Sequence, residues 1–172
     1  MINNEKNMKF FCCRTPTFGE ILRKWDYEIE NADDKINRRT WKDEFIGYYK
    51  NGRAIPYYGF LDDEIICEAT AFISKNGVIN PEGLVDKFTA YLCAFRTIKG
   101  YQGQGYFSKL FKYMVDDLRD KWYKNLTVGV EPQSMTNKEI YFHYGFNELV
   151  KTDVENNPDW SLVTVEYYKK YL

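Results

Sequence analysis

The 172-residue chain has one histidine, His143, and four cysteines, Cys12, Cys13, Cys67 and Cys93. No two cysteines form a CxxC pair, so the ligand set of a zinc site is missing, and no metal is expected. Sparse, scattered cysteine fits a reduced, cytoplasmic setting. Long apolar runs are also missing. The longest, Ala90 to Phe95, falls far short of the roughly 20 residues that cross a bilayer. The start of the chain is polar up to Met8, unlike a secretory signal. Neither charge sign dominates: 24 Lys and Arg stand against 25 Asp and Glu, a formal net charge of -1. That excludes nucleic-acid binding through a large basic face. There is no internal repeat and no low-complexity stretch, and the length suits one domain over residues 1–172. What the chain has in excess is rings: 15 Tyr, 12 Phe and 4 Trp, 18% of the residues. Rings fill cores, and they also line clefts with flat amphipathic surface. Composition does not choose between the two.

The order of elements follows from periodicity. Met8 to Arg14 reads as a first strand. Ile21, Leu22, Trp25 and Ile29 recur at helical spacing. Thr40 is placed to cap a second helix ended by Asn51-Gly52. Ile55 to Leu61 and Glu64 to Ser74 flank the Asp62-Asp63 turn as a hairpin. Asp86 to Thr97 contains an alternating strand that reads as buried on both faces. Tyr106 to Trp122 carries an apolar stripe of Phe107, Leu110, Phe111, Met114, Val115, Leu118 and Trp122. A short strand, Leu126 to Val130, precedes a short helix opened by a Thr136–Glu139 capping box. Phe146 to Lys151 and Trp160 to Tyr168 read as final strands. The alternation predicts an α/β fold, a mixed sheet of about six to seven strands flanked by about four helices.

The most informative stretch is TIKGYQGQGYFSKLF, Thr97 to Phe111. A strand runs into a glycine-bearing loop and the loop into a long helix. A helix N-terminus presents unpaired N–H groups and the positive end of the dipole. Glycines let the backbone approach a bulky anion, so a phosphate or pyrophosphate fits here. A Walker lysine pair and a GxGxxG fingerprint are both missing. The competing reading is a plain glycine turn before a helix.

With these residues the chain resembles the GNAT superfamily of acyl-CoA-dependent N-acetyltransferases. That family carries (Arg/Gln)-x-x-Gly-x-(Gly/Ala) between its fourth strand and the next helix. Gln102 and Gly105 match, and Phe107 stands where the family has Gly or Ala. A second match is Tyr141, four residues before Gly145-Phe146, after a strand. Ser134 and Asn137 stand where the family commonly has Asn and Ala. The resemblance implies acetyl-CoA as acyl donor, its pyrophosphate held by backbone from Gln102, Gly103, Gln104, Gly105, Tyr106 and Phe107. It implies a hydroxyl contact from Ser108, a pantetheine contact near Ser134, and pantetheine lying along Phe95, Arg96 and Thr97 as an added strand would. The acceptor it implies is an amine of a small molecule or peptide, with neither nucleic acid nor membrane as partner. Oligomeric state stays open, a homodimer included.

Moving an acyl group from a thioester to an amine needs a base for the amine, donors for the developing oxyanion and an acid for the thiolate. The resemblance makes Tyr141 that acid; a phenol's ordinary pKa is near 10. The oxyanion donors would be backbone N–H groups near Phe95 to Thr97. Glu68 interrupts the apolar run IICEATAF, and a carboxylate inside such a strand wants a reason. It is the candidate base, or else an edge or surface Glu paired with a Lys or Arg. A water relay is the alternative base. His143 is expected to be exposed, and Cys93 to be packing rather than a nucleophile. The acceptor pocket is expected among Trp25, Tyr27, Trp41, Phe45, Tyr48, Tyr49, Tyr57, Tyr58 and Phe60. The carboxylates between Glu28 and Glu44 lie near them. Rings beside carboxylates suit a cationic amine; core rings and solvated carboxylates are the other reading. Two further readings stay open: a non-catalytic CoA-binding or regulatory module on the same fold, and an interaction domain without cofactor.

Overall fold

The computed structural model describes residues 9–172. Seven strands form one sheet: β1 (Phe11–Arg14), β2 (Ala54–Leu61), β3 (Glu64–Phe72), β4 (Thr89–Thr97), β5 (Asn125–Val130), β6 (Glu148–Asn156) and β7 (Leu162–Tyr171). The order across the sheet is β1-β2-β3-β4-β5-β7-β6. Among the described residues only β4 and β5 pair in parallel; the other pairings are antiparallel. Four helices cover the sheet: α1 (Phe18–Asn31), α2 (Lys35–Lys50), α3 (Tyr106–Asp120) and α4 (Met135–His143). The α/β class, the strand and helix numbers and the element order agree with the expectation.

Alternation on the strands sends neighbouring residues into different cores. Tyr57 packs with Ile66, Leu110, Met114 and Leu118 on the α3 face. Tyr58 and Phe60 pack with Ile21, Trp25 and Phe45 on the α1–α2 face. The α3 stripe is fully developed from Leu110 to Leu118. It stops there: the helix ends at Asp120, and Trp122 lies in the following turn, φ +70 and 80% exposed. Trp122 is therefore not part of the packed stripe.

Several boundaries differ from expectation. The first strand begins at Phe11; Met8 lies outside the described residues. α2 begins at Lys35, not after Thr40, because the Thr40 hydroxyl donates to the Ile36 carbonyl inside the helix instead of capping it. α4 has Ser134 at its N-cap position with no side-chain cap, so the Thr136–Glu139 box does not form. The same Thr-x-x-Glu pattern does cap α1: Glu20 N donates to Thr17 Oγ1, and Thr17 N donates to Glu20. Arg14 also bonds Glu20, and that bond leads in holding its carboxyl down at about 2. β4 lies within the expected stretch, Asp86 to Thr97, but is not buried throughout: Ala94 is exposed. β6 runs on to Asn156 and β7 to Tyr171. As an edge strand β6 tolerates the polar residues that hid it.

Candidate active site

The site grows from the far end of β4. Its parallel ladder with β5 runs from the Thr89–Asn125 pair to the Leu92–Val128 pair and stops. On the β3 side, Thr70 opposes Cys93 while Glu68 opposes Arg96, so β4 carries one extra residue there. Ala94 absorbs it at φ +56. A bulge of this kind bends a strand and increases its twist. Among the described residues, β4 has no ladder partner on its β5 side from Cys93 to Thr97.

Two cavities flank this bare edge. The smaller, about 300 Å³, is lined by Thr97, Tyr101, Gly103, Gly105, Tyr106, Phe107, Ser108 and Tyr144. Gly103 (φ +72) and Gly105 (φ +79) are left-handed, and a Cβ on either would project into open space. Gly105 is the N-cap of α3 and supplies no side-chain acceptor, so no side chain caps the first turn, whose residues Tyr106, Phe107 and Ser108 line the cavity. The glutamines of the loop brace it: Gln102 donates to the Thr97 carbonyl at 3.0 Å and Gln104 to the Gly100 carbonyl at 2.9 Å. This is a fit for a pyrophosphate, with glycines where a side chain would intrude and a helix dipole aimed outward.

Phe107 turns into an aromatic cluster. Its ring centroid lies 5.1 Å from Phe95 and 5.7 Å from Tyr144. Tyr144, which the sequence reading passed over, reaches Ser108, the two hydroxyl oxygens 2.9 Å apart. Tyr141 lines neither cavity; it packs edge-on against Phe95, centroids 5.5 Å apart. Burial, with Cys93 nearby, pushes its hydroxyl up to about 12, so it stays protonated at neutral pH. Ser134 lines neither cavity and remains at the start of α4.

The larger cavity is a cleft of about 680 Å³ between the α1–α2 layer and the sheet. Of the expected rings, Trp25, Trp41, Phe45, Tyr48 and Tyr58 line it; Tyr27, Tyr49, Tyr57 and Phe60 do not. Of the expected carboxylates only Glu28 and Glu44 do. Ala94 and Phe95 form part of the same wall, so the bare edge of β4 runs from one cavity to the other.

Glu68 is a wall residue of this cleft, but it is 2% exposed and in a central strand, not at an edge or surface. Its Oε2 lies 2.8 Å from Lys24 Nζ and its Oε1 2.9 Å from Arg96 Nε. Lys24 also meets Glu28 at 3.1 Å, and Arg96 meets Glu28 at 2.7 Å. Burial pushes the Glu68 carboxyl up, and the two cations oppose that. Both oxygens are committed, so Glu68 fits the ion-paired reading better than that of a free base. The network also fastens the bulged end of β4 to β3 and α1. Sequence reasoning missed Lys24, although the i,i+4 spacing of Lys24 and Glu28 was there to find. Cys93 is half-buried on the cleft wall, and burial pushes its thiol up to about 12, which leaves it inert as a nucleophile. His143 is exposed, as expected. Among the described residues no His, Cys, Asp and Glu cluster suits a metal, and no helix is long and apolar enough to cross a membrane.

Residues 16–146 match the acetyltransferase (GNAT) family, and the chain belongs to it. Acetyl-CoA is accordingly the acyl donor, and the protein is an acyl-CoA-dependent acetyltransferase by family. No curated protein matches the sequence. Among solved structures, Arabidopsis thaliana NAA60 in complex with a bisubstrate analogue is similar at TM-score 0.70 and 12% identity, over 95% of this chain and 99% of that one. The ribosomal-protein-S18-alanine N-acetyltransferase of Escherichia coli is similar at TM-score 0.68 and 13% identity, over 94% of each chain. The yncA protein of Salmonella typhimurium, solved with its cofactor acetyl-CoA, is similar at TM-score 0.64 and 10% identity, over 94% of each chain. At these identities the likeness is one of fold.

Proposed function

We propose that this chain is a single-domain N-acetyltransferase that moves an acetyl group from acetyl-CoA to an amine of a small molecule or peptide. One observation carries the reading: the unpaired edge of β4 joins an anion-fitted loop pocket at Thr97 to a ring-lined cleft at Phe95. A pyrophosphate seated on Gly103, Gly105 and the start of α3 would leave the pantetheine arm to lie along that edge, backbone to backbone. The acetyl group would then arrive beside Phe95, where N–H groups between Phe95 and Thr97 that turn away from β3 are the donors available to the developing oxyanion. Tyr141, behind Phe95, holds the proton that the departing thiolate needs. Gln102 keeps the loop closed on the strand end, and Ser108 with Tyr144 borders the pocket.

Incubation with acetyl-CoA and a broad amine panel, with thiol release as the readout, tests the reading. Tyr141→Phe should lower kcat by about 100-fold, the scale of a lost general acid, while acetyl-CoA affinity stays as in the wild type. Unchanged turnover would remove Tyr141 from the mechanism. Saturable acetyl-CoA binding without turnover on any amine would favour a non-catalytic CoA-binding module instead.

A further inference from the structure

The cleft wall contains four carboxylates, and three are accounted for by position. Glu28 and Glu68 each contact both Lys24 and Arg96. Protonating either would break an ion pair inside the wall. Glu44 is exposed on α2 and keeps its hydration. Glu155 differs from all three. It stands on the edge strand β6, is half-buried, and faces the same cleft as Ala94 and Phe95. It forms no ion pair among the described residues. Its side-chain hydrogen bond is accepted from the Tyr167 hydroxyl.

The fold builds a support for that carboxylate. Tyr167 on β7 packs its ring 6.1 Å from Tyr91 of β4. Both press on Gly129 of β5, where a Cβ would lie 2.9 Å from Tyr91 Oη and 2.9 Å from Tyr167 Cε1. Gly129 thus makes room for two tyrosines beneath the cleft. Tyr167 is fully buried, so its hydroxyl offers Glu155 a fixed donor.

We propose that Glu155 is the general base of the acetyl transfer, receiving the acceptor as an ammonium and taking one proton from it within the cleft. This rests on the acetyltransferase reading given above and deepens it. The walls suit such an acceptor. Lys24, Arg38 and Arg96 are outnumbered by Glu28, Glu44, Glu68 and Glu155, and rings of Trp25, Trp41 and Tyr48 stand nearby. The protons balance. Glu155 accepts the first from the ammonium and passes it to solvent. The neutral nitrogen forms its bond to the thioester carbonyl carbon as the C–S bond breaks. Tyr141 gives its proton to the sulfur, and the second nitrogen proton returns to the Tyr141 oxygen through water. One amide, one thiol and one proton result.

The groups around Glu155 set its titration. Lys151 and Asp153 share its strand, Tyr167 comes from β7 and Tyr91 from β4. Across the cleft stand Arg38 and Glu44 of α2, Lys24 and Glu28 of α1, Glu68 of β3 and Arg96 of β4. Burial leads in pushing the Glu155 carboxyl above its ordinary value, and the Tyr167 hydrogen bond opposes it. A base must be deprotonated to act, so the rate should fall as pH drops through that raised value.

The test compares wild type with Glu155→Gln across pH, using acetyl-CoA, the amine acetylated best in the panel, and thiol release. Glu155→Gln should lower kcat by about 100-fold, abolish the acid limb, and leave acetyl-CoA affinity and the thermal midpoint unchanged. Glu155→Asp should recover part of kcat together with the acid limb, which separates the carboxylate's chemistry from a loss of fold. Three results overturn the proposal. Glu155→Gln retains wild-type kcat and acid limb; or it raises only the amine KM, which makes Glu155 a binding residue; or the wild type binds acetyl-CoA and acetylates no amine. The third result alone also removes the acetyltransferase reading.

Discussion

Lys24 is 5% exposed and has both buried carboxylates, Glu28 and Glu68, within ion-pair distance of its ammonium. A buried ion pair adds little net stability over an apolar replacement of the whole group, but removing one partner strands the other. Lys24→Met leaves two carboxylates in one wall with Arg96 as their shared close cation. It should cost about 3–5 kcal/mol, read as a lower urea midpoint at unchanged denaturant slope. A cost under about 1 kcal/mol, the scale of an exposed pair, would mean that the network is solvated. Part of this was legible: Glu68 is conspicuous as the charge in IICEATAF, and pairing with Lys or Arg follows from the cost of burying it alone. The i,i+4 spacing signals a Lys24–Glu28 pair, but that Glu68 shares Lys24 was not legible, because no local pattern brings α1 against β3 at that point. Glu155 was hidden for a related reason. It sits in a polar, alternating edge strand whose pattern resembles a loop.

At the scale of elements, the strand–loop–helix unit from β4 to α3 was the most legible part of the molecule. Glycine spacing and the apolar stripe of α3 are both local signals. The bulge at Ala94 was not, because it arises from a mismatch of register between β3 and β4 that no local pattern encodes. Capping shows the same limit. Thr17–Glu20 and Thr136–Glu139 have the same spacing, yet only the first caps a helix. At α4 the chain turns at Pro132 and Gln133 and enters the helix at Met135, before Thr136. The unit makes its own prediction. Gly105→Ala places a Cβ at φ +79, at the loop pocket and next to the first turn of α3, which no side chain caps. The left-handed backbone costs a non-glycine residue roughly 1–2 kcal/mol, and the methyl group stands where the anion would approach. Acetyl-CoA affinity should fall about tenfold or more, an equivalent of about 1.4 kcal/mol, while the far-UV spectrum stays native. Calorimetric affinity equal to wild type would move the anion site away from this loop.

The whole molecule is a sheet that stays zipped from β1 to β4 and from β5 to β6 but opens where β4 and β5 part. The rings divide along that opening. Tyr57 and Phe146 are core, Phe95, Phe107 and Tyr141 form the cluster under the bare strand edge, and Trp41 and Tyr48 face the cleft. The aromatic excess thus serves both roles that composition left open. A ligand lying along the β4 edge would touch the β4–α3 unit on one side and the β5–α4 region on the other. It would therefore favour the folded state as a whole. For a ligand at 100 times its dissociation constant, the gain is about 2.7 kcal/mol. For a chain of this length, each kcal/mol moves the thermal midpoint by roughly 2–4 °C. Saturating acetyl-CoA should accordingly raise the midpoint by about 5–11 °C. Adenosine diphosphate should give only part of the rise, because it reaches the loop pocket and not the strand edge. A midpoint unmoved by millimolar acetyl-CoA would mean that the open edge of β4 is not a binding surface for it. It would leave the interaction-domain reading of the cleft as the stronger one.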